Sequence, residues 1–377
     1  MARPSGRNGL VKFTFSNLPA TGWALPAGRI ADLARLCEEV GFDRFAVADL
    51  PYHYDCTTIM TACLLATKRL HVESLVTNPY TRDGGLVAAT WATLASLSGG
   101  RAILGIGGGV ESATRVYVAP WAHDRPHPAA AVREAVGVYR AMWRGEKVNV
   151  DGTIVHVHDA TLDCPLPGPI PILIAARGKA MLRLAGELAD IAHLASLFLD
   201  RDHQRDNIAA VLAGARAAGR DTRALEIDLS VTLSVSRDRA RARRDAKRNA
   251  AQTILWMAGT DRHNAKRSDW QRPTHFDIDE TLIQALTTRW DMWRVPELPD
   301  ELAALIDDET LDRFTVAGEP EECAERMRKI ARDLPEATGI RVKLPRPVRA
   351  ATYQDYEDAI RGIGEVVAAL RKTPTPA

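Results

Sequence analysis

A short stretch near the middle of the chain has the residue types of an anion-binding turn. The apolar run Ile172 to Ala175 predicts a strand, followed by a tight turn at Ala176-Arg177-Gly178 and a helix beginning near Lys179. A helix N-terminus has unpaired backbone N–H groups and a partial positive charge, so it favours an anion. Segment 171–190 therefore predicts a phosphate site, although a plain strand–turn–helix crossover fits the same local sequence.

Titratable side chains follow two other predicted strands. Asp49 ends the second strand, where it would orient a ring nitrogen or hydroxyl of a ligand, or would only cap the next helix. His53 is the best-placed imidazole for proton transfer. Glu111, after the fourth strand, becomes a proton donor if an apolar pocket raises its pKa, and is otherwise an exposed loop carboxylate. These three residues are the candidate catalytic groups.

A glycine-rich turn, Gly107 to Gly109, follows the fourth predicted strand. Consecutive glycines indicate that a flat or bulky group lies against the backbone, or that the loop is flexible. The turn is not a dinucleotide-binding loop, because Val110 stands where the third glycine of that fingerprint falls. The sequence also lacks a Walker A motif and a Gly-x-Ser-x-Gly elbow, which counts against a P-loop NTPase and an α/β-hydrolase.

Histidine pairs give weak metal sites. His156 and His158 would share one face of a strand, but no convincing third ligand lies near them in the sequence. His123 and His127 are separated by Pro126, which would break any helix that aligned them. The sequence therefore predicts no metal centre.

The residues that carry this chemistry lie on alternating strand-like and helix-like segments. Helix-like segments separate most of the strands, as in Ile30 to Val40, where an apolar stripe ends at Gly41. This alternation predicts the α/β class and a closed (β/α)8 TIM barrel, with an open doubly wound sheet as the competitor. A barrel would bring the candidate residues together at the C-terminal ends of its strands. The eight predicted strands are residues 11–16, 44–48, 71–77, 102–107, 172–175, 191–195, 227–235 and 340–344.

Two insertions are expected within a single domain, residues 1–377. The first, about 147–169, follows the fourth barrel strand and begins as a hairpin that turns at Asp151-Gly152. The second, 259–308, follows the seventh strand and either contributes substrate contacts or packs as helices on the side of the barrel. The aromatic residues of this region would line a substrate pocket or fill a core: Trp256, Trp290 and Trp293.

Net charge, cysteine spacing and the length of the apolar runs limit the kinds of partner and compartment that we expect. A net charge of +1 favours neither nucleic acid nor an acidic membrane, and the basic run Arg237 to Arg248 has acidic residues interleaved, as in a solvated helix face. The five cysteines lack CxxC or disulfide-framework spacing, which suits a reducing cytoplasm. No signal peptide is evident, and no apolar run approaches the roughly 20 residues of a membrane span. We expect a cytoplasmic protein with a small-molecule substrate and neither a nucleic-acid nor a membrane partner.

Four motifs together resemble the luciferase-like flavin or deazaflavin oxidoreductases. Within that superfamily the chain is most similar to the methylenetetrahydromethanopterin reductase-like branch, which depends on coenzyme F420. The resemblance spans about Phe13 to Val366 and is weakest over 259–308. The motifs are Ala48-Asp49, Thr77-Asn78-Pro79-Tyr80-Thr81-Arg82, the glycine turn after Leu104, and Ile174-Ala-Ala-Arg-Gly-Lys-Ala180 through Leu184-Ala-Gly186.

The resemblance implies that the cofactor, F420 or alternatively FMN, binds at the C-terminal mouth of the barrel. Its phosphate would contact the backbone from Arg177 to Ala180, including Gly178 and Lys179. Family members often have a non-prolyl cis peptide behind the ring, and here it would fall at Ser74–Leu75. The other cofactor contacts implied are Asp49, Thr77, Asn78, Gly107, Gly108, Ala176 and His193.

The proton-handling residues depart from the family pattern. Many relatives have histidine directly after the strand-two aspartate, where this chain has Leu50, and some have an acidic residue where it has Val110. Either Glu111 and His53 substitute, or the reaction differs. The predicted function is an F420-dependent oxidoreductase that transfers a hydride between its deazaflavin and a small organic substrate. The alternatives are an FMN-dependent monooxygenase and a catalytically silent cofactor-binding barrel. A homodimer is expected from the resemblance alone.

Overall fold

The computed structural model describes residues 11–17, 25–50, 53–109, 128–165, 168–260, 272–292, 294–295, 297–345 and 352–372. Its strands are β1 (Lys12–Asn17), β2 (Arg44–Val47), β3 (His71–Ser74), β4 (Ala102–Gly107), β5 (Val148–Asp151), β6 (His156–Ala160), β7 (Ile172–Ala176), β8 (Ile191–Leu194), β9 (Glu226–Val235), β10 (Thr315–Gly318) and β11 (Gly339–Lys343). The first six helices are α1 (Ala27–Val40), α2 (Cys56–Ala66), α3 (Gly84–Ser98), α4 (Pro128–Trp143), α5 (Lys179–Leu188) and α6 (Arg201–Ala217). The others are α7 (Arg239–Ala258), α8 (Glu280–Arg289), α9 (Asp300–Ala303), α10 (Asp308–Asp312), α11 (Pro320–Asp333) and α12 (Tyr353–Lys372).

Eight parallel strands close into a barrel, so the predicted (β/α)8 fold is confirmed. The order around the barrel is β1-β2-β3-β4-β7-β8-β9-β11, and β11 returns to pair with β1. Closure between β8 and β9 places Ile191 opposite Glu226 and Leu194 opposite Leu229. All of these pairings are parallel, so every barrel strand has its C-terminal end at the same mouth.

Alternation along the strands divides the side chains between the helical layer and the barrel interior. On β1, Phe13 and Phe15 join the main hydrophobic core, whereas Thr14 and Ser16 are buried on the other face. One side of the interior is a small apolar cluster built on Ile103, Leu173 and Ile191. The interior is therefore packed, and its polar groups are concentrated on the strands opposite this cluster.

The structure describes strands or helices in both regions where insertions are expected. The hairpin formed by β5 and β6 follows α4, and its backbone N–H groups at 153–155 donate to the Glu134 carboxylate. The described part of the second insertion includes α8 and packs against α7 around Leu286 and Trp290. Trp290 is buried there, and its indole N–H donates to the carbonyls of Val295 and Glu297 at 3.1 and 2.8 Å. Trp290 thus fills a core, while Trp293 lies outside the described residues.

Two predicted strand details are wrong. The third barrel strand ends at Ser74, three residues before the predicted end, and Thr77 forms only an isolated bridge with Ile106. A ninth sheet strand, β10, is also present, and it pairs with the distal half of β9 from Thr232 to Val235. Because β9 is ten residues long, it extends beyond its pairing with β8 and leaves an edge that β10 covers.

Two further observations concern a membrane or a nucleic acid as a partner. In the ranges given above, no helix has both the length and the apolar character needed to cross a membrane. The arginines at the start of α7 have acidic partners: Arg239 with Glu322 and Arg243 with Asp308. Acidic residues of other elements thus compensate part of this run, and the buried Arg243 departs from the predicted solvated helix face.

Candidate active site

The predicted phosphate turn lies where β7 meets α5, at the mouth of the barrel. Gly178 is the residue before α5, and no side chain caps this helix N-terminus. A Cβ built on Gly178 would meet no atom within 4 Å, so open space lies beside these backbone N–H groups. An open, uncapped helix N-terminus next to Arg177 and Lys179 is suited to an anion such as a phosphate. Ala176, in contrast, is buried in the strand, where its carbonyl accepts from the Ala195 N–H at 3.0 Å.

Arg177 has two described contacts at this turn. Its Nε donates to the carbonyl of Ala195 at 2.8 Å, and its guanidinium lies 5.9 Å from the ring centroid of Trp256 on α7. The side chain is therefore oriented from both β8 and α7. Trp256 is thereby placed beside the predicted phosphate turn, in contrast to Trp290 in the core of the insertion.

The end of β3 is held against β4 through Ser74. Ser74 Oγ accepts from the Gly105 N–H at 2.9 Å and donates to the Gly105 carbonyl at 2.8 Å. The Thr77 N–H donates to the same carbonyl at 2.9 Å. Between these contacts lies a non-prolyl cis peptide at Leu75–Val76, one residue after the predicted Ser74–Leu75 position. Since both hydrogen-bonding functions of its hydroxyl are used by Gly105, Ser74 shapes the bulge, and the buried Leu75 begins it.

The glycines of the fourth strand are explained by packing within the protein. A Cβ on Gly107 would lie 2.9 Å from Val76 Cγ2, and a Cβ on Gly108 would lie 2.7 Å from Pro128 Cβ. The structure therefore places the bulge after β3 and the start of α4 against these two glycines. Neither of the two earlier interpretations, a ligand lying on the backbone or a flexible loop, is needed to explain their identity.

Asn78 organises the loop that follows the bulge. Its Oδ1 accepts from the N–H groups of Tyr80 and Thr81 at 3.0 and 3.1 Å, which is an Asx turn. The side chain is buried, so this oxygen is committed to the backbone. Asn78 thus sets the path of the chain toward Arg82.

Asp49 lies at the end of β2 with its carboxyl group largely buried. Its Oδ1 is 3.2 Å from Arg82 Nη2, whereas Oδ2 is buried and accepts no hydrogen bond from the described residues. Burial raises the pKa of this carboxyl, and Arg82 and the Thr77 hydroxyl act in the opposite direction. Arg82 was part of the family motif in the sequence, but its position beside Asp49 could not be read from that motif.

Of the two other candidate catalytic residues, the structure describes His53 but not Glu111. His53 is partly buried, its backbone N–H donates to the Leu50 carbonyl at 3.3 Å, and burial lowers the pKa of its imidazole. A lowered pKa favours the neutral ring, which is the form that accepts a proton. Glu111 lies outside the described residues, as does Val110, so its proposed role remains a sequence-based prediction.

His193 is buried inside the barrel near the mouth, on β8. Register places it between Ala175 of β7 and Asp228 of β9. Burial lowers the pKa of this imidazole well below its ordinary value. The positive charges of Arg341, Lys343 and Arg177 lower the pKa further, whereas a hydrogen bond with the Asp228 backbone raises it. Its Nδ1 is buried and has no hydrogen-bond partner in the described part of the chain. A neutral imidazole with one free nitrogen is therefore available to a ligand at this depth.

A buried ionic network beneath the mouth was missed by the sequence reasoning. Arg341 pairs with Glu73 and, at 3.0 Å, with Asp228, and all three side chains are completely buried. Arg44 joins through Asp228 at 3.3 Å. The available signal was a charged residue at an interior position of several apolar strands, as in Ile340-Arg341-Val342. Such a network fixes the relative positions of β2, β3, β9 and β11 below the site.

The described mouth residues offer an open helix N-terminus and buried hydrogen-bonding atoms, which suit a polar anionic ligand. Unpartnered buried polar atoms occur on three mouth elements, namely Ser16 Oγ on β1, Asp49 Oδ2 after β2 and His193 Nδ1 on β8. Across the described ranges, no three His, Cys, Asp or Glu side chains are grouped closely enough to hold a metal. A buried polar atom without a partner is costly, so a ligand that pairs with these atoms would gain from doing so.

Comparisons with known proteins agree with this geometry. The family model described as luciferase-like monooxygenase matches residues 10–336. The chain is 30% identical over 303 residues to the 5,10-methylenetetrahydromethanopterin reductase of Archaeoglobus fulgidus, covering 79% of this chain and 84% of that protein. It is 32% identical over 205 residues to the F420-dependent glucose-6-phosphate dehydrogenase of Beutenbergia cavernae, covering 52% of this chain and 60% of that protein.

A solved structure shares the fold. The coenzyme F420 dependent tetrahydromethanopterin reductase from Methanopyrus kandleri superposes with a TM-score of 0.73 and 22% sequence identity. The match covers 96% of this chain and 99% of that one. The fold of this chain is therefore one already known among solved proteins.

Proposed function

Because this chain belongs to the luciferase-like monooxygenase family, we propose that it is an F420-dependent oxidoreductase that transfers a hydride between the deazaflavin and a small organic substrate. The observation that carries the proposal is the open helix N-terminus at Gly178, placed at the same barrel mouth as Asp49 and His193. Relatives support the choice of cofactor, since one is named as an F420-dependent dehydrogenase and another as a methylenetetrahydromethanopterin reductase.

The cofactor phosphate would be held by the first-turn N–H groups of α5 and by the cations beside them. These groups run from Arg177 to Ala180, and no side-chain cap competes for them. Thr77, Gly107 and Gly108 would line the ring from β3 and β4, and Asp49 and His193 would offer it their unpartnered atoms. When bound, F420 supplies a ring carbon that accepts or gives up a hydride.

The protein's own groups would orient the ring and move the accompanying proton. Asp49 offers Oδ2 as a hydrogen-bond acceptor or proton carrier at the ring edge. His53 is the nearby imidazole whose lowered pKa favours the proton-accepting form. We propose these two residues, with Glu111, as the catalytic set.

The second candidate function is an FMN-dependent monooxygenase, which the family's own description favours. FMN carries one phosphate and would use the same helix N-terminus. The two functions differ in their second substrate, because a monooxygenase consumes molecular oxygen and a hydride-transferring dehydrogenase does not.

An assay of turnover separates these functions. The protein is incubated without oxygen with oxidised F420 and a panel of small alcohols, sugar phosphates and reduced pterins, and the absorbance of the oxidised deazaflavin is followed. Loss of that absorbance with one substrate class supports the proposal. Oxygen consumption with reduced FMN, together with no change in F420 under any condition, supports the monooxygenase instead. No turnover with either cofactor leaves the silent cofactor-binding barrel.

We also propose that the protein is a homodimer that pairs through α2 and α3. The exposed fractions of Leu65, Leu86 and Leu97 on these helices are 65%, 59% and 52%. An open surface groove of about 220 Å3 lies between the helices, lined by Leu94 and the threonines Thr57, Thr58, Thr61, Thr90 and Thr93. Several of those hydroxyls donate to carbonyls of their own helix, so a second copy would cover them without stranding polar groups.

We propose the cytoplasm as the site of action and small molecules as the only partners besides a second copy. The cysteines Cys37, Cys56, Cys63 and Cys323 are buried thiols, which suits a reducing compartment. The paired arginines of α7 support the absence of a nucleic-acid partner, because their charge is already compensated by Glu322, Asp308 and Asp312.

A further inference from the structure

Arg82 connects the carboxylate at the barrel mouth to the start of helix α2. Its Nη2 lies 3.2 Å from Asp49 Oδ1 and 3.0 Å from Asp55 Oδ2. Arg82 is about four-fifths buried, since its side chain is 21% exposed, and Asp49 is 11% exposed. Asp55 is 51% exposed, so solvent screens its pairing with Arg82 more than it screens the pairing with Asp49.

Asp55 is itself fixed by the helix that it caps. Its Oδ1 accepts from the Thr58 N–H at 2.8 Å and from the hydroxyls of Thr57 and Thr58 at 2.8 and 2.9 Å. The other oxygen, Oδ2, is left to receive Arg82. The position of Arg82 is therefore set from α2, a rigid element outside the mouth.

We propose that Arg82 is a positioning residue that holds Oδ1 of Asp49, leaving Oδ2 to the cofactor, and that Asp55 on α2 anchors Arg82 in that place. The proposal rests on the proposed function for the identity of the ligand but not for the contact between Arg82 and Asp49. Arg82 would therefore act on the cofactor only through Asp49. Its ion-pair partners among the described residues are Asp49 and Asp55.

The charge state of Asp49 follows from its neighbours. The described charged and titratable groups that act on it are Arg82, Asp55 and Cys56. Arg82 lowers the pKa of Asp49, and Asp55 raises it. Burial raises the pKa of the Cys56 thiol, so Cys56 stays neutral and adds no charge. Without Arg82, only the Thr77 hydroxyl would oppose burial, and the pKa of the carboxyl would rise.

Titration of Asp49 in the cofactor-free protein tests this assignment. Protein labelled with 13C at the aspartate carboxyl carbon is followed by NMR across a pH series, and Asp49→Asn identifies the signal. Arg82→Gln should raise the pKa of Asp49 by about one pH unit or more, because the opposing cation is lost. Arg82→Lys should restore part of the difference, since it keeps the charge but lacks the planar fork that reaches two carboxylates.

A second variant tests the anchoring role. Asp55→Asn keeps an oxygen to cap α2 but removes the carboxylate that holds Arg82, so the pKa of Asp49 should rise toward its value in Arg82→Gln. A lowered pKa would show that only the Asp55 charge was lost and would contradict the anchoring role. Arg361→Gln, on the distant helix α12, is the control and should leave the titration unchanged. An unchanged pKa of Asp49 in both Arg82→Gln and Asp55→Asn would overturn the proposal, and because no cofactor is present, this result would leave the proposed function untouched. If Arg82→Gln does not fold, the pKa of Asp49 in Arg82→Lys and in Asp55→Asn still tests the proposal.

Discussion

Ser74 and Gly105 are joined by two hydrogen bonds, one in each direction, across the β3–β4 pair. The Ser74 hydroxyl accepts from the Gly105 N–H at 2.9 Å and donates to the Gly105 carbonyl at 2.8 Å. A Cβ at position 105 would lie 1.9 Å from the Ser74 carbonyl oxygen. This close approach is what allows β4 to pack against the bulge at Leu75–Val76, on which the proposed ring site depends.

Gly105→Ala is accordingly expected to destabilise the protein strongly, because the added methyl group meets a backbone oxygen that cannot move away easily. We expect a loss of about 1–3 kcal/mol or more, measured by denaturant unfolding. Gly137→Ala is the matched control, because Gly137 lies within α4 and a Cβ there meets no atom within 4 Å. That change should stabilise the helix by up to about 1 kcal/mol. Equal changes in the free energy of unfolding for the two variants would show that β3 and β4 do not pack closely at Gly105.

The acid stability of the protein should depend on His193. Its native pKa lies well below its ordinary value through burial, so below about pH 6.5 the unfolded chain binds a proton that the native protein does not. Stability is therefore lost as pH falls through this range, by about 1.4 kcal/mol per pH unit from this group. His193→Gln should lose less stability than the wild type between neutral and mildly acidic pH.

The control for that comparison is His156→Gln, on the exposed hairpin. Unfolding free energies of the three proteins are measured across the pH series. If the curves of His193→Gln and wild type run parallel, the imidazole at 193 is not held in its neutral form.

The proposed dimer predicts that a charge on the α2–α3 face separates the subunits. Leu86→Arg would force a guanidinium into the covered face, and we expect a monomer by sedimentation equilibrium. Leu305→Arg changes an exposed leucine that lies just after α9 and should leave the mass unchanged. A wild type that is monomeric at high concentration, or a Leu86→Arg variant that stays dimeric, would contradict the assignment of this face.

The phosphate turn predicts a large effect from a negative charge at Gly178. Gly178→Asp should weaken cofactor binding by about a hundredfold or more, because a carboxylate would occupy the anion's place at the helix N-terminus. Gly178→Ala is the matched variant, and since its Cβ meets no atom within 4 Å, the fold should be kept. Dissociation constants from fluorescence titration give the comparison. Unchanged affinity in Gly178→Asp would place the phosphate elsewhere.

Local patterns were sufficient to predict the barrel. Most of its strands contain buried apolar residues and are bounded by turn or helix signals, as in Ala102–Gly107, and so the strands could be placed to within about three residues. β10 escaped prediction because Thr315–Gly318 pairs only with the distal half of β9, outside the closed barrel. The end of β3 was placed too late because Leu75, Val76 and Thr77 are residues typical of strands, whereas the regular pairing with β4 ends at Glu73 and Thr77 forms only an isolated bridge.

Contacts within one segment of the candidate site could be predicted from the sequence, and contacts between distant segments could not. The proposed phosphate turn is contiguous, so its residue types and order could be read directly. The contact between Arg82 and Asp49 joins residues 33 positions apart, and the pairing of Arg341 with Glu73 joins residues 268 positions apart. Such pairs form only when barrel register brings the strands together, which no local periodicity encodes.

Parallel titrations of the purified protein with F420 and with FMN test the central claim most directly. Cofactor fluorescence is followed at fixed ionic strength, and Gly178→Asp serves as the binding-deficient control. We expect saturable quenching of F420 by the wild-type protein, its loss in Gly178→Asp, and no saturable quenching of FMN. Tight binding of FMN with no binding of F420 would contradict the proposal that this barrel is a deazaflavin-dependent oxidoreductase.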